Sequence, residues 1–404
     1  MVRKGLALAA VVALAACATT PRGRVFLPEL ALDRAPGGLS TKQKKAAQQV
    51  LALAAAGETK RARDKLSSLP SDHPVRRFLE LEVAFAEGTQ PLLGQVLAFA
   101  QAYPNYPPAW ELAVLAGERE GELLEAADAA GQLAALTADS RWERRRKELE
   151  ERALTQAIAQ LQQRWAGGDP VGALSGARQL LERFPHNRPL RELGVGAALA
   201  TGKLAEAKLL VLPLPEDAAG LELKAQVAAA EGAWEVAAEL YRRLPASVPG
   251  RCPKVREAEE KARWQRAPER IAKAAKAARL SRGELAALVV FYFPQLAEKA
   301  AGPAPLFEDL VGYPYQTEVL VLVRAGVMTG DPLARRFSPS RPVSPRELER
   351  VLQRLVEVLG LPGAVVCRGE ASAGGCLGAE ESGNTVSGEG AVRLLSGIWE
   401  KLPC

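Results

Sequence analysis

The sequence predicts a mainly α-helical protein, an N-terminal solenoid of α-helical hairpins followed by a small helical domain. Three observations carry this. A glycine followed five residues later by alanine recurs at Gly57/Ala62, Gly121/Ala126, Gly168/Ala173, Gly202/Ala207 and Gly232/Ala237. After about residue 250 that pattern stops, and Ser-x-x-Glu, which satisfies orphan amides at a helix N-terminus, stands at Ser281/Glu284 and Ser344/Glu347. The 404 residues give room for two or three domains with cores of their own.

Residues 1–16 read as an export signal. Arg3 and Lys4 precede an uncharged apolar run from Leu6 to Leu14, too short for a mature membrane span. Leu14-Ala15-Ala16-Cys17 then places small residues before a thiol. This stretch resembles a bacterial lipobox, which implies lipidation of Cys17 and a stable membrane anchor if the cysteine carries more than one chain. Ala18, where an aspartate would imply inner-membrane retention, implies the outer membrane facing the periplasm. Residues 17–39 hold Pro21, Gly23, Pro28, Pro36, Gly37 and Gly38 and read as a flexible tether.

Removing Arg3 and Lys4 takes the formal charge from +6 to +4, which suits an anionic envelope polymer or headgroups and gives no ground for a nucleic-acid partner. His73 and His186 each lie within two residues of a proline and read as turn residues, so no metal site and no histidine-based triad is expected. Besides Cys17 there are Cys252, Cys367, Cys376 and Cys404, an even number that allows three connectivities in an exported chain. Cys367 and Cys376 flank a Gly/Ala/Ser-rich loop and are the expected pair.

Within residues 40–250 the glycine permits a tight turn between antiparallel helices, the alanine lets them approach, and a proline closes the unit at Pro70, Pro185, Pro215 and Pro245. Gly88 begins a further unit without the alanine. The clearest copy runs from Glu231-Gly232-Ala233-Trp234 through Leu244-Pro245, and Trp110 and Leu112 fit the large residues of a first helix. The array resembles the tetratricopeptide repeat family, which implies a surface that binds a peptide or partner helix. An insertion at Arg141–Lys147, followed by Glu148, Glu150 and Glu151, predicts a long exposed helix with Glu143/Lys147 and Arg144/Glu148 pairs. Residues 251–279 hold ten Lys/Arg against four Glu and read as a basic helical linker, with Arg263, Arg266, Arg270 and Lys273 on one face.

The last segment, 280–404, contains Phe307-Glu308-Asp309, Tyr315, Gly326-Val327-Met328-Thr329-Gly330, Phe337-Ser338-Pro339 and Val343-Ser344-Pro345-Arg346-Glu347-Leu348. Order and spacing resemble one S-layer homology module of about 50 residues. Partial copies flank it, at Leu280-Ser281-Arg282-Gly283-Glu284 and at Val386-Ser387-Gly388-Glu389-Gly390. The resemblance implies contact with an acidic cell-wall polymer, for which Arg282, Arg346 and Tyr315 are the candidate residues. The copies depart from the family pattern: Tyr315 replaces its usual tryptophan, Pro345 displaces the motif arginine to Arg346, and the third copy has no arginine.

The expected function is therefore a non-enzymatic, lipid-anchored envelope scaffold whose array binds an envelope protein. A periplasmic assembly factor delivering envelope or secreted clients is the alternative. No cofactor and no catalytic residue is expected, since the neighbouring Glu308 and Asp309 in a turn need not face a common substrate.

Overall fold

The computed structural model describes Leu32 and residues 34–303, 306–331, 333–361 and 385–402. The proposed signal segment, Cys17, Cys367 and Cys376 lie outside the described residues. Cys252 is disulfide-bonded. The described residues are mainly helical and contain no strand, only isolated bridges at Ser281/Pro342 and Asp331/Arg336. No helix among them is long and apolar enough to cross a membrane.

The chain divides into two compact units, residues 1–160 and 161–404. The first holds α1 (Thr41–Ala55), α2 (Thr59–Leu66), α3 (Pro74–Glu87), α4 (Leu93–Ala102), α5 (Pro107–Glu120) and α6 (Leu123–Thr137). The long α7 (Ser140–Ala166) contains the boundary. The second continues with α8 (Pro170–Arg183), α9 (Arg188–Ala200), α10 (Leu204–Val211), α11 (Ala218–Ala230), α12 (Trp234–Arg243) and α13 (Arg251–Gln265).

The turns that follow α1, α3, α5, α7, α9 and α11 each fall on a repeat glycine. Gly57, Gly88, Gly121, Gly168, Gly202 and Gly232 each have a φ between +71° and +85°, a backbone state that costs other residues roughly 1–2 kcal/mol. The paired alanines, Ala62, Ala126, Ala173, Ala207 and Ala237, are all fully buried, which is why nothing larger stands there. Each Leu-Pro pair closes a unit in the same way. Leu69, Leu214 and Leu244 are buried immediately before Pro70, Pro215 and Pro245. Trp110 and Leu112 are buried on α5, as expected of large first-helix residues.

Three expectations need correction. The end of the tether is docked: Leu32 is buried, and the His73 ring lies 2.9 Å from the Gly38 carbonyl oxygen. In α7 the Glu143–Lys147 pair forms at 3.8 Å, but Glu148 takes Arg145 at 2.9 Å instead of Arg144. Residues 251–279 are not a linker. Helix α13 packs along α12, the chain breaks at Pro268, and α14 (Glu269–Ala275) buries Ile271 and Ala274 in the next core. That break also removes the shared face: Arg263 caps carbonyls of Phe291 and Tyr292, Arg266 pairs with Glu235, and Arg270 with Glu318.

The C-terminal core contains α14, α15 (Arg282–Tyr292), α16 (Leu296–Lys299), a 3-10 turn at Glu308–Leu310, α17 (Gln316–Arg324), α18 (Pro345–Leu359) and α19 (Gly388–Trp399). The starts of α15, α18 and α19 are tied into a closed ring. Val343 N–H donates to Leu280 C=O at 2.9 Å, Leu280 N–H to Val386 C=O at 2.8 Å, and Val386 N–H to Val343 C=O at 3.1 Å. All three side chains are fully buried, and Ser281, Ser344 and Ser387 follow them as the N-caps. The three sequence copies thus occupy equivalent places around one centre.

Helix α13 holds this core to the last hairpin. Glu260 accepts hydrogen bonds from the Tyr292 hydroxyl at 2.6 Å and from Ser396 at 2.9 Å. The Trp399 ring receives the guanidinium of Arg263 at 4.0 Å and that of Arg256 at 4.8 Å.

Candidate functional site

The ring places the residue after each serine at an equivalent position: Arg282, Pro345 and Gly388. Gly388 is pressed against α14, where a Cβ would lie 2.2 Å from the Ala274 carbonyl oxygen. Only Arg282 brings a cation.

Ser344 starts α18 by accepting from Glu347 N–H at 3.3 Å. Glu347 does not return the bond, as a capping box would require. Its carboxylate turns to Arg282 Nε at 2.8 Å and to Arg341 at 2.9 and 3.0 Å. At Ser281 both halves of the box form, because Glu284 has no such competitor. Arg282 is 7% exposed, donates to the Thr329 carbonyl at 2.6 Å and to that of Phe337, and stacks 4.1 Å over the Phe337 ring. Burial lowers its pKa and Glu347 opposes the shift, so the guanidinium stays charged.

Above this floor lies a groove of about 450 Å³, lined by the loop 327–338 and by α18. The Asp309 carboxylate shapes the loop, accepting from Phe337 N–H at 2.9 Å and Ser338 N–H at 2.6 Å, where Ser338 adopts a φ of +59°. Arg336, Arg341, Arg350 and Arg354 line the groove, against Asp331 and Glu347. Asp331 is occupied by the backbone of Leu333 and Ala334.

Arg346, Arg350 and Arg354 follow one another at i, i+4 and i+8 along α18, so they form a row. None of the three has an ion-pair partner among the described residues. Like charges at that spacing destabilise a helix by about 0.2–0.5 kcal/mol per pair, and a cation in the first turn opposes the helix dipole. Glu349 and Glu357, three positions after Arg346 and Arg354, offset part of that cost. The row still gathers three cations on one helix face, which suits an anionic ligand.

The three candidate residues end up in different roles. Arg282 is the buried floor rather than an exposed contact, because two carbonyls, a ring and a carboxylate enclose it. Arg346 lies on the arginine row. Tyr315 is buried away from the groove, its hydroxyl donating to the Arg270 carbonyl at 3.0 Å, and burial raises its pKa. Arg336, Arg341, Arg350 and Arg354 were missed, although the spacing of Arg346, Arg350 and Arg354 is visible in the sequence.

Glu308 and Asp309 do not converge. Glu308 pairs with Arg335 at 3.7 Å while Asp309 caps the loop. Among the described residues no group of three or more His, Cys, Asp or Glu forms a metal site. The chain matches no protein-family model, and no curated protein is similar to it in sequence.

Proposed function

We propose that the chain is a lipid-anchored envelope scaffold whose C-terminal domain binds an acidic cell-wall polymer through the arginine-lined groove. The observation that carries this is the row Arg346, Arg350 and Arg354, without ion-pair partners among the described residues, of which Arg350 and Arg354 line the groove with Arg336 and Arg341. Carboxylate or phosphate groups spaced along a polymer would meet several planar guanidinium forks, which bind such groups bidentately. The hairpin array supplies a surface for an envelope protein, and a lipid on Cys17 would hold both binding functions at one membrane.

Cross-linking in intact cells followed by mass spectrometry tests the reading. One stoichiometric protein attached to residues 40–250, with the chain recovered on wall material, is the expected result. Many substoichiometric clients would favour the assembly factor instead. Recovery without either partner or wall material would contradict both.

A further inference from the structure

Charge in the first unit is sorted along the chain. Residues 41–66, which form α1 and α2, hold seven Lys/Arg against Glu58 and Asp64, a net +5 in a chain of +6. Residues 67–106, with α3 and α4, stand at −2. Residues 107–160, with α5, α6 and the first-unit part of α7, hold eleven Asp/Glu against seven Lys/Arg, a net −4. The sorting is also spatial, because α3 packs on α1 and α2 and then on α4 and α5. The unit is an electric dipole with its positive end at the first hairpin.

That end is not neutralised locally. No acid occurs between Arg34 and Gly57. Lys42 and Lys45 lie on one exposed face of α1 with Gln49 and Ala52, opposite the buried Ala47, Val50, Leu51 and Ala54. Neither lysine has an ion-pair partner among the described residues, and neither has the exposed Lys60 on α2. Glu58 is engaged by Arg61, and Arg63 takes Glu87 from the next hairpin. Asp64, the other acid of the first hairpin, pairs with none of the three lysines.

The tether decides what this end faces. Leu32 is buried and the Gly38 carbonyl lies against His73, so the chain is pinned to this unit just before α1. Fifteen positions separate Leu32 from Cys17, a reach of at most about 50 Å. A lipid on Cys17, the reading on which this step rests, therefore keeps the first unit near headgroups. An anionic leaflet attracts the positive hairpin and repels the acidic end of the same unit.

We infer that the first hairpin rests on anionic lipid headgroups through Lys42, Lys45 and Lys60, holding the acidic third hairpin away from the membrane. The occupant is lipid rather than the acidic end of a second copy, because the tether leads from this hairpin to the anchor.

The test uses the chain from Ala18 onward, which keeps every described residue without the anchoring thiol. Sedimentation with vesicles of phosphatidylcholine and phosphatidylglycerol is compared with phosphatidylcholine alone. Binding to the anionic vesicles only is expected, weakening as salt rises. Each lysine near an anionic surface changes partition about fivefold, so the combined K42Q, K45Q and K60Q variant should bind at least tenfold more weakly. It should melt with the wild-type chain, since none of the three lysines holds an ion pair in the fold. Hydrogen exchange should slow in residues 41–66 when anionic vesicles are added and stay unchanged in residues 107–137. No binding of the wild-type chain to anionic vesicles, equal binding by the folded variant, or protection of α18 in place of residues 41–66 overturns the inference. So does a salt-sensitive dimer in sedimentation equilibrium that the variant abolishes without any vesicle binding. The combined R346Q, R350Q and R354Q variant should bind vesicles like the wild-type chain, and the acyl mass of the native N-terminus reports on the anchor alone. Failure of the groove or of the anchor is thus distinguishable from failure of this inference.

Discussion

At the residue scale, Arg282 and Glu347 form a charge pair that is nearly enclosed in the C-terminal domain, at 2.8 Å. Removing the guanidinium leaves a carboxylate, two carbonyls and a ring without their partner, and Arg341 is too exposed to replace it. Breaking a buried charge pair costs about 3–5 kcal/mol, and the remaining Arg341 contact places Arg282→Ala at the low end, about 3 kcal/mol. Urea unfolding followed by circular dichroism checks this, and a loss below about 1 kcal/mol would show that the pair is not structural. Nothing around Arg282 in the sequence signals its burial. Serine followed by arginine at a helix start reads equally as an exposed decoration or a buried anchor, because the enclosing groups come from Thr329, Phe337 and Glu347, far along the chain.

Tyr292 makes a second residue-scale prediction. Burial, then its bond to Glu260, raise its pKa above the ordinary tyrosine value. A raised pKa means that the protonated phenol is stabilised by folding. That contribution is complete below about pH 10, the unfolded tyrosine value. It is lost as pH rises through the folded value. The C-terminal domain should therefore weaken in alkali, and Tyr292→Phe should weaken the neutral-pH fold by about 1–2 kcal/mol while flattening the alkaline decline. Melting curves across pH 8–12 distinguish the two profiles; an unchanged alkaline slope in the variant would contradict the assignment.

At the scale of elements, the hairpins were legible because each turn requires something only a few residues supply. Gly232 provides the positive φ, Ala237 the close approach and Leu244-Pro245 the closure, all within one local stretch. Close approach also predicts overpacking. At Gly117 a Cβ would lie 2.9 Å from the Ala126 Cβ and 3.1 Å from the Glu122 carbonyl oxygen. Gly117→Ala should thus destabilise the first unit by about 1–3 kcal/mol despite alanine's better helix propensity. A stabilised variant in thermal melting would mean that α5 and α6 have room to separate. Residues 251–279 were misread for the opposite reason. Ten basic residues read as a solvated face, but Pro268 splits the segment, and Arg256 and Arg263 find an aromatic ring contributed by Trp399. Composition cannot report a partner more than a hundred positions away.

At the scale of the whole molecule, the two parts present different chemistry. The array offers helical hairpins that sort charge along the first unit, whereas the C-terminal domain gathers cations around one groove. Three copies of one half-motif close a ring at Leu280, Val343 and Val386, yet the copies differ at the following residue, so the domain keeps one cationic floor, at Arg282. The groove itself was half legible: Arg282 and Arg346 stand out in the sequence, but the burial of one and the exposure of the other needed the fold.

The most direct measurement of the central claim is a titration of the chain from Ala18 onward with purified acidic wall polymer at several salt concentrations. Affinity should fall steadily with salt, since exposed cations are screened. The combined R346Q, R350Q and R354Q variant should bind at least tenfold more weakly at low salt and melt no lower than the wild-type chain, because removing like charges relieves α18. Equal affinity in wild type and variant, or no binding by the folded wild-type chain at low salt, would contradict the account.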